Sequence, residues 1–377
     1  MSDSAATRLA VQLVGKTRLE IEEFCVALGL PSYRGRQLAG WIYDRGVDCP
    51  EAMTDLPLSV RSRLREASDI GSLVVIRRQR AKDGTEKFLF GLPDHEAIET
   101  VVLPFEDRTS ICVSSQVGCP IRCSFCATGR SGYSRNLLAG EIVDQLLVAR
   151  RLSGRNITHV VFMGMGEPLI NLKQVLKATR ILHSEIGIPM RHITISTVGL
   201  VAEMRELANE KEAFTLAVSL HAPNDALRQT LIPVARKYLL RDLLGACDYY
   251  FDRTSRRVTF EYVLIRDVND RPEHARELAA LLQGRHGHVN LIPYNPGAAD
   301  EYRAPGRDVV AQFRGILDAA GIAVTQRMEK GQEIMAACGQ LRKQTLSLPD
   351  STVDIEPPVA VRQDLSQRRQ ALPVIQL

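Results

Sequence analysis

The sequence predicts an α/β protein, a partial or full (β/α) barrel preceded by a smaller α+β region, with an open doubly wound sheet as the alternative. Two observations carry this. From residue 110, short β-branched runs alternate with amphipathic helical stretches, the pattern of parallel strands covered by helices. Before residue 100 the rhythm differs, with three helical stretches followed by strand-like runs. A third observation says where chemistry belongs: four of the eight cysteines fall between positions 112 and 126, at the first strand of the alternating region.

The elements follow in order. Ile21 to Leu28 is apolar at helical spacing, Pro31-Ser32 breaks the chain, and Gly35–Tyr43 and Leu56–Glu66 read as further helices. Leu73–Ile76 and Lys87–Phe90 flank a polar Asp83-Gly84 turn, which predicts a hairpin, and Ala97–Pro104 adds a strand. Barrel strands are expected at Ile111–Val113, His159–Met163, His192–Ser196, Leu216–Leu220, Val258–Leu264, Val289–Ile292 and Ile322–Thr325. Helices are expected at Ala139–Leu152, Leu172–Ser184, Val201–Ala208, Leu239–Phe251, Pro272–Leu282 and Val309–Ala319. In either architecture ligands bind at the carboxyl ends of the strands, so residues just after each run are the candidates for chemistry. The expected division is an accessory region over 1–100, a core over 101–345 and a loosely ordered, proline-containing tail over 346–377.

Composition narrows the class further. Apolar residues at 45% and charged residues at 24% exclude wholesale disorder, collagen and coiled-coil rods. No apolar run reaches the length of a membrane span, and Met1-Ser2-Asp3-Ser4 lacks the basic flank and apolar core of a secretory signal, so a cytoplasmic protein with no membrane partner is expected. Lys and Arg number 48 against 44 Asp and Glu, a balance of +4 that permits an anionic partner without demanding one. Eight cysteines in a chain this long and non-secretory point to metal ligands or reactive thiols rather than a disulfide framework.

The central motif is Cys119-Pro120-Ile121-Arg122-Cys123-Ser124-Phe125-Cys126, in a loop directly after the first barrel strand. Three thiolates so spaced can hold three irons of a four-iron cluster and leave the fourth open to a ligand. The alternative is a structural zinc site completed by Cys112 or a histidine; zinc sites more often use paired short Cys elements. In isolation Cys112 and Cys338 read as buried thiols.

This loop, placed after strand one, resembles that of the radical S-adenosylmethionine superfamily and implies a partial (β/α)6 barrel. More motifs extend the likeness: Ser114-Ser115-Gln116-Val117-Gly118-Cys119, Gly164-Met165-Gly166-Glu167-Pro168-Leu169, Ser196-Thr197-Val198-Gly199, Ser219-Leu220-His221-Ala222-Pro223-Asn224, Asn290-Leu291-Ile292-Pro293-Tyr294-Asn295-Pro296 and Ala336-Ala337-Cys338-Gly339-Gln340-Leu341. The set is similar to the RlmN/Cfr family of RNA adenosine methyltransferases, from about residue 20 to residue 341. Met335, where the family often has aspartate, and the short segment after Asn295 depart from it.

The resemblance implies a [4Fe-4S] cluster on Cys119, Cys123 and Cys126, and two S-adenosylmethionine molecules per turnover. It implies that Gly166, Glu167, Ser196, Ser219, Leu220, His221 and Asn295 surround S-adenosylmethionine, Glu167 accepting its amino group. Cys338 then accepts a methyl group, and a deoxyadenosyl radical removes hydrogen from it. The carbon adds to adenine, and Cys112 attacks the Cys338 sulfur to release the product as a disulfide forms. Glu99 takes the ring proton, a role resting wholly on the resemblance. The implied substrates are 23S rRNA at nucleotide 2503 and tRNA at position 37, modified at C2, and a reducing electron-donor protein is the further partner. Three alternatives stay open: C8 methylation, as in the Cfr branch; a radical enzyme without methylcysteine chemistry; and a metal-stabilised RNA-binding protein without catalysis. The arginines of the first 100 residues (Arg34, Arg36, Arg45, Arg61, Arg63, Arg65) become an expected RNA-docking surface.

Overall fold

The structure, a computed structural model, describes residues 10–297, 301–327 and 330–341. The expected tail over 346–377 lies outside these residues. The chain begins with a helical module in which β1 (Val11–Gln12) and β2 (Ser68–Asp69) pair in parallel around α1 (Arg18–Ala27), α2 (Tyr33–Ala39) and α3 (Leu58–Ala67). Thr17 and Glu20 start α1 with a reciprocal capping box. Gly35 lets α2 cross α1 closely: a Cβ there would stand 2.4 Å from the Glu22 Cα. After α2 the chain makes a π-helical turn over Gly40–Asp44, completing the expected second helix in two geometries.

Next come three antiparallel strands, β3 (Val74–Arg80), β4 (Glu86–Gly91) and β5 (Ala97–Pro104), and then β6 (Thr109–Cys112), antiparallel to β5. A short ribbon of β7 (Gln116–Gly118) and β8 (Tyr133–Asn136) flanks the cysteine loop and α4 (Ala127–Arg130). The remaining strands are β9 (His159–Phe162), β10 (Ile193–Thr197), β11 (Thr215–Ser219), β12 (Val258–Leu264), β13 (Gly287–Pro293) and β14 (Val324–Gln326). With β6 they form a parallel array. Its helices are α5 (Ala139–Ser153), α6 (Leu172–Ser184), α7 (Val201–Asn209), α8 (Asp225–Leu231), α9 (Leu240–Thr254), α10 (Pro272–Leu282) and α11 (Arg307–Ala319). The whole is one ten-stranded sheet in the order β14-β13-β12-β11-β10-β9-β6-β5-β4-β3, an open barrel among the described residues.

The division expected at residue 100 falls inside β5, whose ladder to β6 runs on through Val101↔Cys112 and Pro104↔Thr109. The hairpin strands belong to the core sheet because two or three strands alone are marginal and gain stability by pairing their edge. The helical module ends near β2 instead.

Sequence alternation sets what each face of the array does. Ile193, Ile195, Leu216, Val218, Val258, Phe260, Val289 and Leu291 are buried on the outer face. The inner face carries Thr194, Ser196, Thr215, Ser219, Thr259, Glu261 and Asn290, which share registers across the strands. An apolar outside and a polar inside leave a reaction chamber within the barrel rather than a packed core.

Candidate active site

The cysteine loop is shaped from both ends. Gly118, at φ +77°, sits where a Cβ would come within 1.9 Å of the Gly132 carbonyl oxygen, so only glycine lets β7 meet β8 there. After Cys126 the short α4 ties the loop to the far end of the chain: Ala127 N–H donates to the Gly339 carbonyl (2.8 Å) and Thr128 Oγ1 to the Leu341 carbonyl (2.6 Å). Cys338 is thereby brought beside the cluster loop, more than two hundred positions away in sequence. Asn295, at the end of β13, donates from Nδ2 to the Cys338 carbonyl at 3.2 Å and accepts at Oδ1 from Gln332 at 3.2 Å.

Two cavities meet inside the barrel. The smaller, about 160 Å³, lies at the carboxyl ends of the strands, lined by Cys119, Cys123, Cys126, Gly166, Glu167, Ser196, Ser219, His221 and Asn295. The larger, about 830 Å³, has Cys112 on its wall. Cys338, Met163, Asn295 and Arg327 line both and mark their junction. Cys112 stands at the end of β6, opposite Val101 of β5 and Val161 of β9.

Nearly all the residues expected around a bound cofactor are thus gathered in one chamber. Gly166 (φ +108°) presses flat on the Gln116 and Ser115 side chains, at 2.6 and 2.7 Å from where its Cβ would be. Glu167 is buried, and both its oxygens already accept main-chain N–H groups, Oε1 from Leu169 (3.0 Å) and Oε2 from Val198 (2.7 Å). Burial pushes its pKa up to about 7 against these bonds. It braces the β9 and β10 ends, and each oxygen retains a second lone pair for a donor in the chamber. His221 takes a left-handed conformation (φ 59°) after β11, accepts at Nδ1 from Val263 N–H (3.0 Å), and packs edge-on against Phe125. That bond leaves the proton on Nε2, and burial drops the ring pKa to about 3, so it stays a neutral donor.

Two expected residues lie elsewhere. Leu220 is fully buried, away from both cavity walls, its N–H on the Glu261 carbonyl and its carbonyl accepting from Arg228. Glu99 shares the β5 face of Val101, two residues along from the position opposite Cys112, but its carboxylate is buried in an ion pair with Lys87 Nζ at 3.1 Å. Lys87 also donates to the Met335 carbonyl at 3.2 Å, which places Glu99 beside the segment leading to Cys338.

Sequence reasoning passed over several neighbours. Arg228, fully buried in α8, donates to the carbonyls of Leu220 (3.1 Å), Val198 (2.6 Å) and Ser219 (3.2 Å). A cation sharing the buried face of a short helix with Leu231 was the available signal. Gln116 clamps Glu167 N–H (2.8 Å) and Asn136 (2.7 Å). Arg327 follows β14 and donates toward Met163 Sδ at 3.4 Å; its guanidinium opposes the burial that drives the Cys112 thiol up to about 12.

The donor set fits an iron–sulfur cluster. Burial, followed by mutual repulsion, pushes Cys123 far above its ordinary value, and burial takes Cys119 to about 12. Neighbouring buried thiols of this kind ionise when a cationic centre takes their charge. Arg228 Nη1 is buried without a hydrogen-bond partner among the described residues, and its charge acts on Cys123. Among the described residues no three His, Cys, Asp or Glu converge as a single ion requires. A cube instead takes one thiolate at each of several corners.

Comparison with known proteins places the chain in a family. Residues 113–279 match the radical SAM superfamily, and residues 11–70 match the ribosomal RNA large subunit methyltransferase N-terminal domain. A protein of Thermosynechococcus vestitus named "Probable dual-specificity RNA methyltransferase RlmN" is 49% identical over 334 residues, covering 89% of this chain and 99% of that one. Its namesake in Gloeobacter violaceus is 48% identical, over 90% and 97% of the two chains. The crystal structure of a radical SAM methyltransferase from Sphaerobacter thermophilus superposes with a TM-score of 0.85 at 47% identity, over 88% of this chain and 99% of that one.

Proposed function

The chain belongs to the RlmN family of radical SAM RNA methyltransferases, and from that premise we propose that it methylates C2 of adenosine in 23S rRNA and in tRNA, in the cytoplasm. Its cofactors are a [4Fe-4S] cluster and S-adenosylmethionine, and the described residues contain no helix long and apolar enough to cross a membrane. One observation carries the reading: Cys338 stands at the junction of the two chambers, and Cys112 lines the larger one with it. A sulfur that must first collect a carbon beside the cofactor and then deliver it to a base needs to face both spaces.

Cys119, Cys123 and Cys126 would hold the cluster; Glu167, Ser196, Ser219, His221 and Asn295 would hold S-adenosylmethionine. Bound there, the pair supplies a methyl group and one-electron hydrogen abstraction. The chain's own residues do the rest. Cys338 carries the methyl group as a thioether, and Asn295 and α4 fix its main chain. The new bond to C2 leaves one unpaired electron on the ring, which the bound cluster would take up, and a base takes the C2 proton, the role proposed for Glu99, which pairs with Lys87 at 3.1 Å. The Cys112 thiolate then attacks the Cys338 sulfur; the sulfur–carbon bond breaks, its electron pair stays with the carbon bound to the base, that carbon takes a proton to become the methyl group, and a disulfide forms. Arg327 favours the attacking anion electrostatically. Reducing the disulfide takes two electrons, which is why a reducing partner protein belongs to the cycle.

The test is nucleoside mass spectrometry on unmodified 23S rRNA fragment and tRNA incubated without oxygen with cluster-loaded protein, reductant and S-adenosylmethionine. 2-Methyladenosine in both RNAs is expected. 8-Methyladenosine, or no methylated adenosine from protein with a verified cluster, would overturn the assignment.

A further inference from the structure

The cofactor chamber opens at the carboxyl ends of the strands, and its walls are those expected for the cluster and S-adenosylmethionine. The RNA base has to reach Cys338 from the other side. That side is the larger cavity, which runs from Cys112 and Cys338 to the amino-terminal ends of β6, β9, β10 and β11. Its volume, about 830 Å³, is toward the upper end of small-molecule pockets and suits an extruded nucleoside with part of its backbone.

The chemistry of this mouth favours a polyanion with flat rings. Arg108, Arg191, Arg327 and Lys330 line it against Glu106 and Asp107. Of the two acids, Asp107 pairs with Arg108 at 3.1 Å. Among the described residues neither Arg191 nor Lys330 forms an ion pair, and Lys330 acts on the Asp83 carboxylate through its charge alone. Arg256 and Arg257 also stand immediately before β12, and Arg285, paired with Asp248, lies two residues before β13. Two ring surfaces accompany the charge. His159 and His192 stack at 4.1 Å and 13°, with His192 Nδ1 buried and unpartnered among the described residues. Phe105 has Arg108 at 4.5 Å and Lys330 at 5.2 Å from its ring centre.

The arginines of the helical module are differently placed. Arg36 pairs with Glu22 and Arg65 with Glu51, while Arg61 and Arg63 donate to main-chain carbonyls. Their hydrogen-bonding capacity is partly spent within the module, on pairs that lie at its surface.

We propose that the RNA strand enters the barrel through this amino-terminal mouth, with Arg191 and Lys330 on the phosphates flanking the extruded adenosine and the His159–His192 stack and Phe105 against neighbouring bases. The proposal rests on the RNA-methylation reading. Phosphate contacts position a strand and scale its affinity with salt, whereas stacking tolerates sequence.

The experiment measures the Kd of the cluster-loaded full chain for an RNA stem-loop with an unpaired adenosine, across a salt series, with methylation of the same RNA followed in parallel. Losing two phosphate contacts in R191A/K330A flattens the log–log salt slope by about 1.4 and weakens binding about 25-fold near 0.1 M salt. R191K/K330R keeps the charges and restores both slope and Kd, separating a charge effect from a folding defect. R276A, on the outer face of α10, leaves Kd unchanged. If wild-type protein methylates the stem-loop and R191A/K330A binds it as tightly as wild type, the proposed entry is wrong while the RNA-methylation reading stands. The entry is equally wrong if R276A weakens binding as much as the double variant. Wild-type protein that neither binds nor methylates the RNA would overturn the reading beneath it.

Discussion

Replacing Arg228 with methionine isolates one physical question: how much the barrel depends on a buried cation that no substrate touches. The side chain is fully buried and draws together the carbonyls of Val198, Ser219 and Leu220, so it joins the ends of β10 and β11 beneath the cofactor chamber. Methionine fills similar space and donates nothing. Orphaning three buried acceptors costs roughly 1–3 kcal/mol each, about 6 kcal/mol in sum. Against this, burial lowers the guanidinium pKa to about 10, and removing a cation held at that penalty returns about 3 kcal/mol. The net expectation is a loss of about 3 kcal/mol in unfolding free energy. Anaerobic urea denaturation of metal-free protein, followed by far-ultraviolet circular dichroism, measures it without interference from the cluster. Iron content after reconstitution is expected to fall as well, because the guanidinium charge acts on Cys123. A variant within 1 kcal/mol of wild type that also loads iron normally would refute the bracing role.

The other predictions concern the loop and the thiols. Cys338→Ala forms no methylated RNA while keeping the cluster's visible absorption; turnover in that variant would sink the two-cysteine scheme. Cys112→Ala leaves RNA covalently attached to protein, read as a shifted band on a denaturing gel, and its absence would remove the resolving role. Gly118→Ala drives a Cβ into the Gly132 carbonyl at a positive φ, so soluble protein with wild-type iron content is the unexpected result. His221 has a native pKa of about 3 against 6.5 when unfolded, so between these values the unfolded chain holds the extra proton. Stability then falls by about 1.4 kcal/mol per pH unit as the solution is acidified below about 6.5. His221→Gln removes that part of the slope, and parallel denaturation curves at about pH 5 and pH 7.5 would expose a failure.

Period and punctuation were enough to read most of the architecture. The helices at Ala139, Leu172 and Pro272 and the strands at His159 and Val258 begin where the apolar period and its flanking residues say they should. The β7–β8 ribbon and α8 escaped because strands of three and four residues and a helix of seven are too short to establish a period. In the site, the clustered cysteines announced themselves by spacing. Cys112 and Cys338 did not, since a lone cysteine looks the same whether it is inert or reactive, and only the motifs around them raised the expectation. Arg228, Lys87 and Arg327 were illegible for another reason. Their importance comes from three-dimensional neighbours such as the Val198 carbonyl, Glu99 and Cys112, and no local pattern encodes these.

The polar inner face of the barrel has a consequence for how this molecule can change. Ordinarily a residue pointing into the middle of a domain answers to packing, and its replacement is judged first by whether the protein survives. Here the outward-facing Ile193, Leu216, Phe260 and Leu291 carry that obligation beneath the helices. Thr194 and Thr215 line the larger chamber and are released from it, whereas Asn290 beside them is tied to the buried Glu261. Selection, or an engineer, can therefore rewrite the chamber's lining to admit a different base or nucleotide context with little effect on folding, and variation should concentrate there while the outer layer stays conservative.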